Sequence, residues 1–503
     1  MASINNPIAI SLLTDISKDK GVSELFFSDP PSCLVIFRLL PEISKNLIIR
    51  AINSNENGLL EISELKNHDF FINTKSKNIN EYIAGLTQLK ILQETGNKYI
   101  INNYFFKTMK KILSEGLIQD KKKFHRKARG YEKYLEKGMN RFYKFINEKI
   151  FDQSKKEVQE NEINNFLVKA CFLQEGSDKK YSLASLKTFL NKTEELIIFF
   201  FYRYLNYIMD SLKEKKFTFF HLLFYLATLE PGSYFTEFPK AYYDSSFDKH
   251  LEFMNQTGFL IIKTETVNNK TIKKYYCTPL IQSLFENNNI SEDFALLKYG
   301  DENAHRFLYV ETNMKFYAFM PTAKMPKKDQ TSLQLNMSEN FTSSSYLEKE
   351  SKDEKNIFYV NLLRNMFRIE MILPDNGLIG YITRENLKNI FKHLPDSGRL
   401  LQFLSDHMSL NYDDVTTIGD KKYLINESVV NQILVLENEK KSVEVIQPVV
   451  CLYDFSSKNQ YRYILDLIKS ENIRIIKEQE TKDNMIIVIQ SKDVSKIQKK
   501  INI

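Results

Sequence analysis

One local order occurs twice in this chain and constrains its fold more than any other feature. Residues 85–105, GLTQLKILQETGNKYIINNYF, run from a helix into the strand ILQET, turn at Gly96-Asn97 and return as KYIIN. Residues 248–280, DKHLEFMNQTGFLIIKTETVNNKTIKKYYCTPL, repeat it with a helix, a stop at Gly258, the strand FLIIKTET, a turn at Asn268-Asn269 and the strand KKYYCTP. In each copy a helical spacing of apolar residues gives way to an alternating one across a turn. The pattern predicts at least two winged-helix units before residue 290. Their helices carry mixed rather than basic charge, which favours protein scaffolding over DNA binding.

Around these units the apolar runs look like core. Residues 29–41, DPPSCLVIFRLLP, confine a segment with one charge, Arg38, between prolines that donate no amide hydrogen. Cys33, Leu34, Ile36, Phe37 and Leu40 are explained by packing, and Arg38 by satisfying carbonyls or an acidic group inside the first domain. Residues 196–209 and 217–229 are the most apolar, but each falls short of the roughly 20 residues a membrane span needs. Arg203 or His221 interrupts them, and SLKEKK separates them, so two packed core helices are expected. The opening MASINNPIAISLLTDISK lacks the charged lead and apolar stretch of a signal peptide.

Further along, RFLYVETNMKFYAFM (306–320) predicts two short strands around Thr312-Asn313 with Leu308, Val310 and Phe316 on one side. A long polar segment, 321–355, follows and is expected to be mobile. Helices are then predicted at 356–371, at 383–391 behind a Thr383 cap with Asn386 in the box position, and at 397–408. The last stretch reads β-α-β-β: PVVCLYDF, QYRYILDLIKSE, IRIIKEQE, a turn at KDN, MIIVIQ, and then the short helix DVSKIQKKI. Such a unit is marginal alone and leaves a sheet edge or face in need of a partner.

Charge and motif content narrow the function classes. Seventy basic and 63 acidic residues leave a net charge of +7, small for a dedicated nucleic-acid binder of 503 residues. The densest basic stretch, 120–144, interleaves aromatics and could track a phosphate backbone. The reading favoured is a linker and the solvated face of a helix whose Tyr131, Tyr134, Phe142 and Phe145 pack inward. There is no phosphate-binding glycine loop, no repeated spacing among the seven histidines and no nucleophile signature. Cys33, Cys171, Cys277 and Cys451 are far apart with apolar or aromatic neighbours, as reduced, buried thiols would be. No catalytic residue, cofactor site or metal site is assigned.

DPPSCLVIFRLLPEISKNLIIR (29–50) resembles the N-terminal signature of the mid-sized core subunits of the transcription and repair factor TFIIH. Pro30, Cys33, Leu34, Phe37, Arg38, Leu40, Pro41, Lys45 and Arg50 carry the likeness. GFLIIK with KKYYCTPL (258–280), FLYVETNMKFYAF (307–319), YITRENL (381–387) and NQILVLENEKK (431–441) follow in order. The resemblance implies a nuclear, non-catalytic scaffold acting in RNA polymerase II initiation and nucleotide excision repair. It implies partners among the TFIIH core subunits, namely the xeroderma pigmentosum group B translocase, whose ATPase this subunit would stimulate, and the smallest, trichothiodystrophy group A, subunit. DNA would be touched indirectly or weakly.

The fold class expected is α+β, mostly helical, with tandem winged-helix domains, a small α/β clutch domain and a C-terminal β-α-β-β module. The implied layout is a winged-helix-like domain at 1–118, a second at 119–295, a clutch for the translocase at 303–410 and a C-terminal module at 425–503. Glu311, Thr312, Asn313, Lys315 and Tyr317 would meet the translocase, with Glu311 and Asn313 alternatively doing no more than close the turn. Leu452, Tyr453, Phe455, Ile473 and Ile475 would meet the small subunit. The competing reading is a free-standing winged-helix nucleic-acid binder that uses the basic stretch.

Overall fold

The structure is a computed structural model and describes residues 7–54, 59–61, 79–96, 98–117, 131–152, 161–175, 181–267, 270–285, 306–320, 354–373, 377–409, 415–442, 449–452, 455, 457–470, 473, 475–480 and 485–490. The chain divides into two compact units, Met1–Ile433 and Leu434–Ile503.

In the first unit, helices α1 (Pro7–Lys18) and α2 (Lys20–Ser28) lead to α3 (Pro30–Leu39) and α4 (Glu42–Ser54). Pro30 and Pro31 sit in the first turn of α3, where amide hydrogens have no helical acceptor, and Asp29 caps it by accepting from the Ser32 amide at 3.1 Å. Pro41 falls between α3 and α4. The prolines of the 29–41 stretch thus delimit a helix, whose Cys33, Ile36 and Leu39 are fully buried. Arg38 directs a guanidinium nitrogen at the Ala227 carbonyl, 3.5 Å away. That carbonyl lies near the end of α10, the later of the two apolar helices α9 (Thr193–Leu212) and α10 (Lys216–Thr228). Between α4 and α9 come α5 (Ile79–Gln88), α6 (Asn103–Glu115), α7 (Tyr131–Ile146) and α8 (Asn161–Lys169). Among the described residues no helix is long and apolar enough to cross a membrane.

The two helix-to-hairpin patterns form as read, and each hairpin gains a third strand from upstream. Strands β1 (Leu59–Glu61), β2 (Leu92–Thr95) and β3 (Lys98–Ile101) form a sheet of order β1-β3-β2 after α5. Strands β4 (Tyr234–Phe235), β5 (Leu260–Val267) and β6 (Lys270–Cys277) repeat that order as β4-β6-β5 after helix α11 (Asp248–Gln256). Gly258, at φ +80°, makes the stop between α11 and β5. The unit is mostly helical with small antiparallel sheets, an α+β fold.

Helix α7 carries the part of the basic stretch that is described. Its Phe142 and Phe145 are buried and Tyr134 stacks on Tyr276 at 5.4 Å, so this part packs inward. Lys121, Lys122, Lys123 and Arg126 lie outside the described residues, as do Asn97 of the first predicted turn, the predicted turn at 268–269, residues 321–353 of the polar segment and the helix DVSKIQKKI. Two expectations need correction. Cys171 and Cys451 are exposed, because neither lies on a core-facing position, whereas Cys33 and Cys277 are buried. The helix expected over 356–371 is α12 (Glu354–Met366), and the chain then turns extended as β9 (Arg368–Leu373).

In the second unit, which begins within α15 (Glu427–Ser442), the β-α-β-β order is observed. Strand β13 (Val449–Leu452) is followed by α16 (Lys458–Ser470), β14 (Ile475–Glu480) and β15 (Met485–Gln490), with sheet order β13-β15-β14. Tyr461, Ile464, Leu465 and Ile468 of the helix close a small core with Ile473, Ile487 and Ile489.

Candidate functional site

The predicted strands around Thr312-Asn313 are β7 (Leu308–Val310) and β8 (Lys315–Ala318), and they belong to a four-stranded antiparallel sheet of order β7-β8-β10-β9, with β10 at Gly377–Tyr381. Alternation along each strand separates two faces. Leu308, Val310, Phe316, Ala318 and Leu378 are buried on one face. There Phe316 meets Phe367 at 5.5 Å, while Phe307, just before β7, meets Tyr359 of α12 at 4.9 Å. The capped helix α13 (Arg384–His393) follows β10, and Thr383 accepts from the Asn386 amide at 3.2 Å as the box pattern predicts.

Among the described residues, nothing covers the other face. Tyr309 pairs with Tyr317, Tyr317 with Ile379 and Ile379 with Met371, so these four side chains form one row across all four strands. Tyr309 is 41% exposed and Met371 53%, values that a core row would not show. The neighbouring row holds Lys315, whose ammonium lies 5.6 Å from the Tyr317 ring centroid, 5.5 Å from that of Tyr381 and 3.3 Å from the Glu370 carboxylate. Hydrogen bonding to Glu370 raises the Lys315 pKa, and desolvation followed by the Glu311 charge raises that of Tyr317. The face is aromatic and carries a fixed ion pair.

The structure therefore separates the sequence-predicted residues by role. Asn313 accepts from the Lys315 amide at 2.8 Å and donates to the Glu311 carboxylate at 3.0 Å, closing the turn, where Met314 takes φ +68°. The Thr312 carbonyl accepts from Gln432 at 3.3 Å. Of the five, Lys315 and Tyr317 stand on the open face, and Glu311 reaches it from the turn, acting on Tyr317 through its charge and a side-chain hydrogen bond. Tyr309, Glu370, Met371, Ile379 and Tyr381 share it, and sequence reading assigned none of the five to the site: it placed Glu370 and Met371 in a helix run to 371 and read no strand at 377–381. The signal was present: RIEMIL and GLIGY flank Pro374-Asp375-Asn376-Gly377, a hairpin-turn composition.

In the second unit, Ile473 is 6% exposed and belongs to the core, while Leu452, Phe455 and Ile475 are partly buried against it. Phe455 meets Tyr461 edge-on at 5.2 Å. Tyr453 lies outside the described residues. Ile487 and Ile489 point into the core, so alternation turns Ile486 and Val488 to the opposite face of the sheet. Strands β13 and β14 are its edges.

Among the described residues no group of three His, Cys, Asp or Glu side chains is placed to hold a metal. No individual curated protein matches the chain. The model of the family described as transcription factor Tfb2 matches residues 15–409, well over half of its length. The open sheet face, the helix-and-hairpin units and the 29–50 signature all fall inside that match, and the chain belongs to the Tfb2 family, the mid-sized core subunit of TFIIH.

Proposed function

We propose that this TFIIH subunit uses the open face of the β7-β8-β10-β9 sheet as the clutch that anchors the xeroderma pigmentosum group B translocase and stimulates its ATPase. The observation that carries the reading is the cross-strand row Tyr309, Tyr317, Ile379 and Met371 beside the Lys315–Glu370 pair. Large exposed aromatic and apolar side chains on a rigid sheet match the hot-spot chemistry of a protein interface, and the ion pair between two tyrosines supplies specificity. The two sheets of equal strand order act as winged-helix scaffolding toward other core subunits. The C-terminal module pairs with the smallest subunit through a sheet edge or the face carrying Ile486 and Val488, a role suited to its small core.

Co-purification of the tagged full chain from nuclei, with mass spectrometry and an ATPase assay, tests this. Met371→Glu with Tyr309→Glu places two charges on the open face and is expected to lose the translocase and its stimulation, by at least about tenfold in affinity, while retaining the smallest subunit. Full retention of the translocase by a folded double variant rules the clutch position out.

A further inference from the structure

Helix α7 and the hairpin β5–β6 bring together basic side chains that lie far apart in the chain. Three tyrosine rings line the joint: Tyr134 of α7 stacks on Tyr276 of β6 at 5.4 Å, and Tyr276 meets Tyr234 of β4 at 5.3 Å. Each ring carries an ammonium group. Lys137 lies 6.0 Å from the Tyr134 centroid, Lys263 5.3 Å from that of Tyr276 and Lys274 5.0 Å from that of Tyr234. Rings placed in this way hold lysine heads at the surface.

These charges are not balanced locally. Lys274 is paired with Glu265, but Lys133, Lys137 and Lys263 form no ion pair among the described residues. Lys133 and Lys137 stand about one turn apart on α7. Desolvation, followed by the charges of Lys263, Lys133 and Arg141, lowers the Lys137 pKa against the opposing pull of Glu136. Arg141 itself is committed to the carbonyl and side-chain oxygens of Asn255. Like charges held together at a surface raise its potential, and a polyanion relieves them. The rings are already covered by one another and by the lysines, so an occupant gains charge contacts and no stacking. Duplex DNA, with one charge per about 1.7 Å of axis, is denser in charge than an extended acidic polypeptide at about 3.3 Å per residue.

We infer that α7 and the β5–β6 hairpin form a contact for the phosphate backbone of duplex DNA, with Lys133, Lys137 and Lys263 each facing one phosphate and no base read. Duplex DNA is the occupant that suits a transcription-factor family, and the inference does not depend on the sheet face at 308–381. Three phosphate contacts make a weak, salt-sensitive attachment that adds to the hold of a larger assembly.

The probe is a fluorescent duplex of random sequence, titrated with the full chain by anisotropy between about 50 and 200 mM salt. Lys133→Gln, Lys137→Gln and Lys263→Gln together are expected to reduce the slope of log K against log salt by about three, and to weaken binding at the lowest salt by about tenfold or more. Lys18→Gln, Lys215→Gln and Lys392→Gln together remove the same charge elsewhere on the chain and leave the wild-type slope. Equal slopes for the two triple variants overturn the proposal. So does displacement of the probe by poly-L-glutamate as readily as by unlabelled duplex at equal charge, which would make the surface a seat for acidic polypeptide. In assembled TFIIH on duplex DNA, a photoreactive residue in place of Ile272, exposed on the hairpin, is expected to crosslink to DNA. Absence of DNA from the crosslinked products refutes the contact.

Discussion

Single residues show how this unit holds polar groups inside an aromatic core. Asp29 accepts from Ser32 Oγ at 2.5 Å and from Tyr242 at 2.6 Å, with His221 Nδ1 at 3.4 Å, and His221 stacks on Phe26 at 4.1 Å. Desolvation pushes the Asp29 carboxyl up, but hydrogen bonds to His221, Ser32 and Tyr242 outweigh it and leave the pKa lowered. The Asp29 cap thus doubles as a tie between segments far apart in the chain. His250 is the opposite case. It is 4% exposed, shares a 2.8 Å hydrogen bond with Tyr204, and has its pKa lowered from 6.5 to about 4, by desolvation first and by Lys249 second, against Glu162. A depressed histidine stabilises the fold while neutral, so its contribution is present above pH 6.5 and is lost as pH falls toward 4. Urea unfolding across that window is expected to lose on the order of 3 kcal/mol more in wild type than in His250→Gln. Equal slopes for the two proteins would refute the assignment.

Elements meet where side chains are absent or register is interrupted. A Cβ at Gly258 would overlap the Gly138 carbonyl, and one at Gly138 would lie 2.9 Å from the Gly258 carbonyl, so this glycine pair lets α7 cross the α11–β5 turn at backbone distance. Gly258→Ala adds left-handed strain at φ +80° to that overlap and is expected to cost about 3 kcal/mol or more, read as a fall in Tm by calorimetry. A change within 1 °C would contradict the close approach. Gly380 plays the corresponding part in the four-stranded sheet, where a Cβ would overlap the Arg368 carbonyl beside the register shift between β9 and β10. A short π-helical segment, Asn147–Phe151, ends α7, and its buried Asn147 donates to the carbonyl and carboxylate of Glu354 at 2.9 Å, fastening the start of α12. The helix that supports the open sheet is therefore anchored to the end of α7.

At the scale of the molecule, the unit at 434–503 has a core of seven buried residues, little for independent stability, and partner binding is expected to raise its melting transition. Deleting residues 443–503 should remove the smallest subunit while leaving translocase stimulation within about twofold; joint loss of both in the ATPase assay would show that the clutch needs this unit. Local order was written plainly in the sequence. The paired helix-and-hairpin patterns, the proline-delimited α3, the Thr383 cap and the β-α-β-β ending are set by hydrophobic period, turn residues and caps, which act within a few residues of chain. The family signature was legible for the same reason, since it lies in contiguous motifs. Tertiary structure alone decided what crosses long stretches of chain: the Asp29–His221 pair, the Asn147–Glu354 clasp, the glycine contact and the row that sets Tyr309 beside Tyr317, Ile379 and Met371. Local period says which face of a strand is apolar, but which strands share a sheet and which face stays open is settled by long-range packing, and so is the place of the surface assigned here to the translocase.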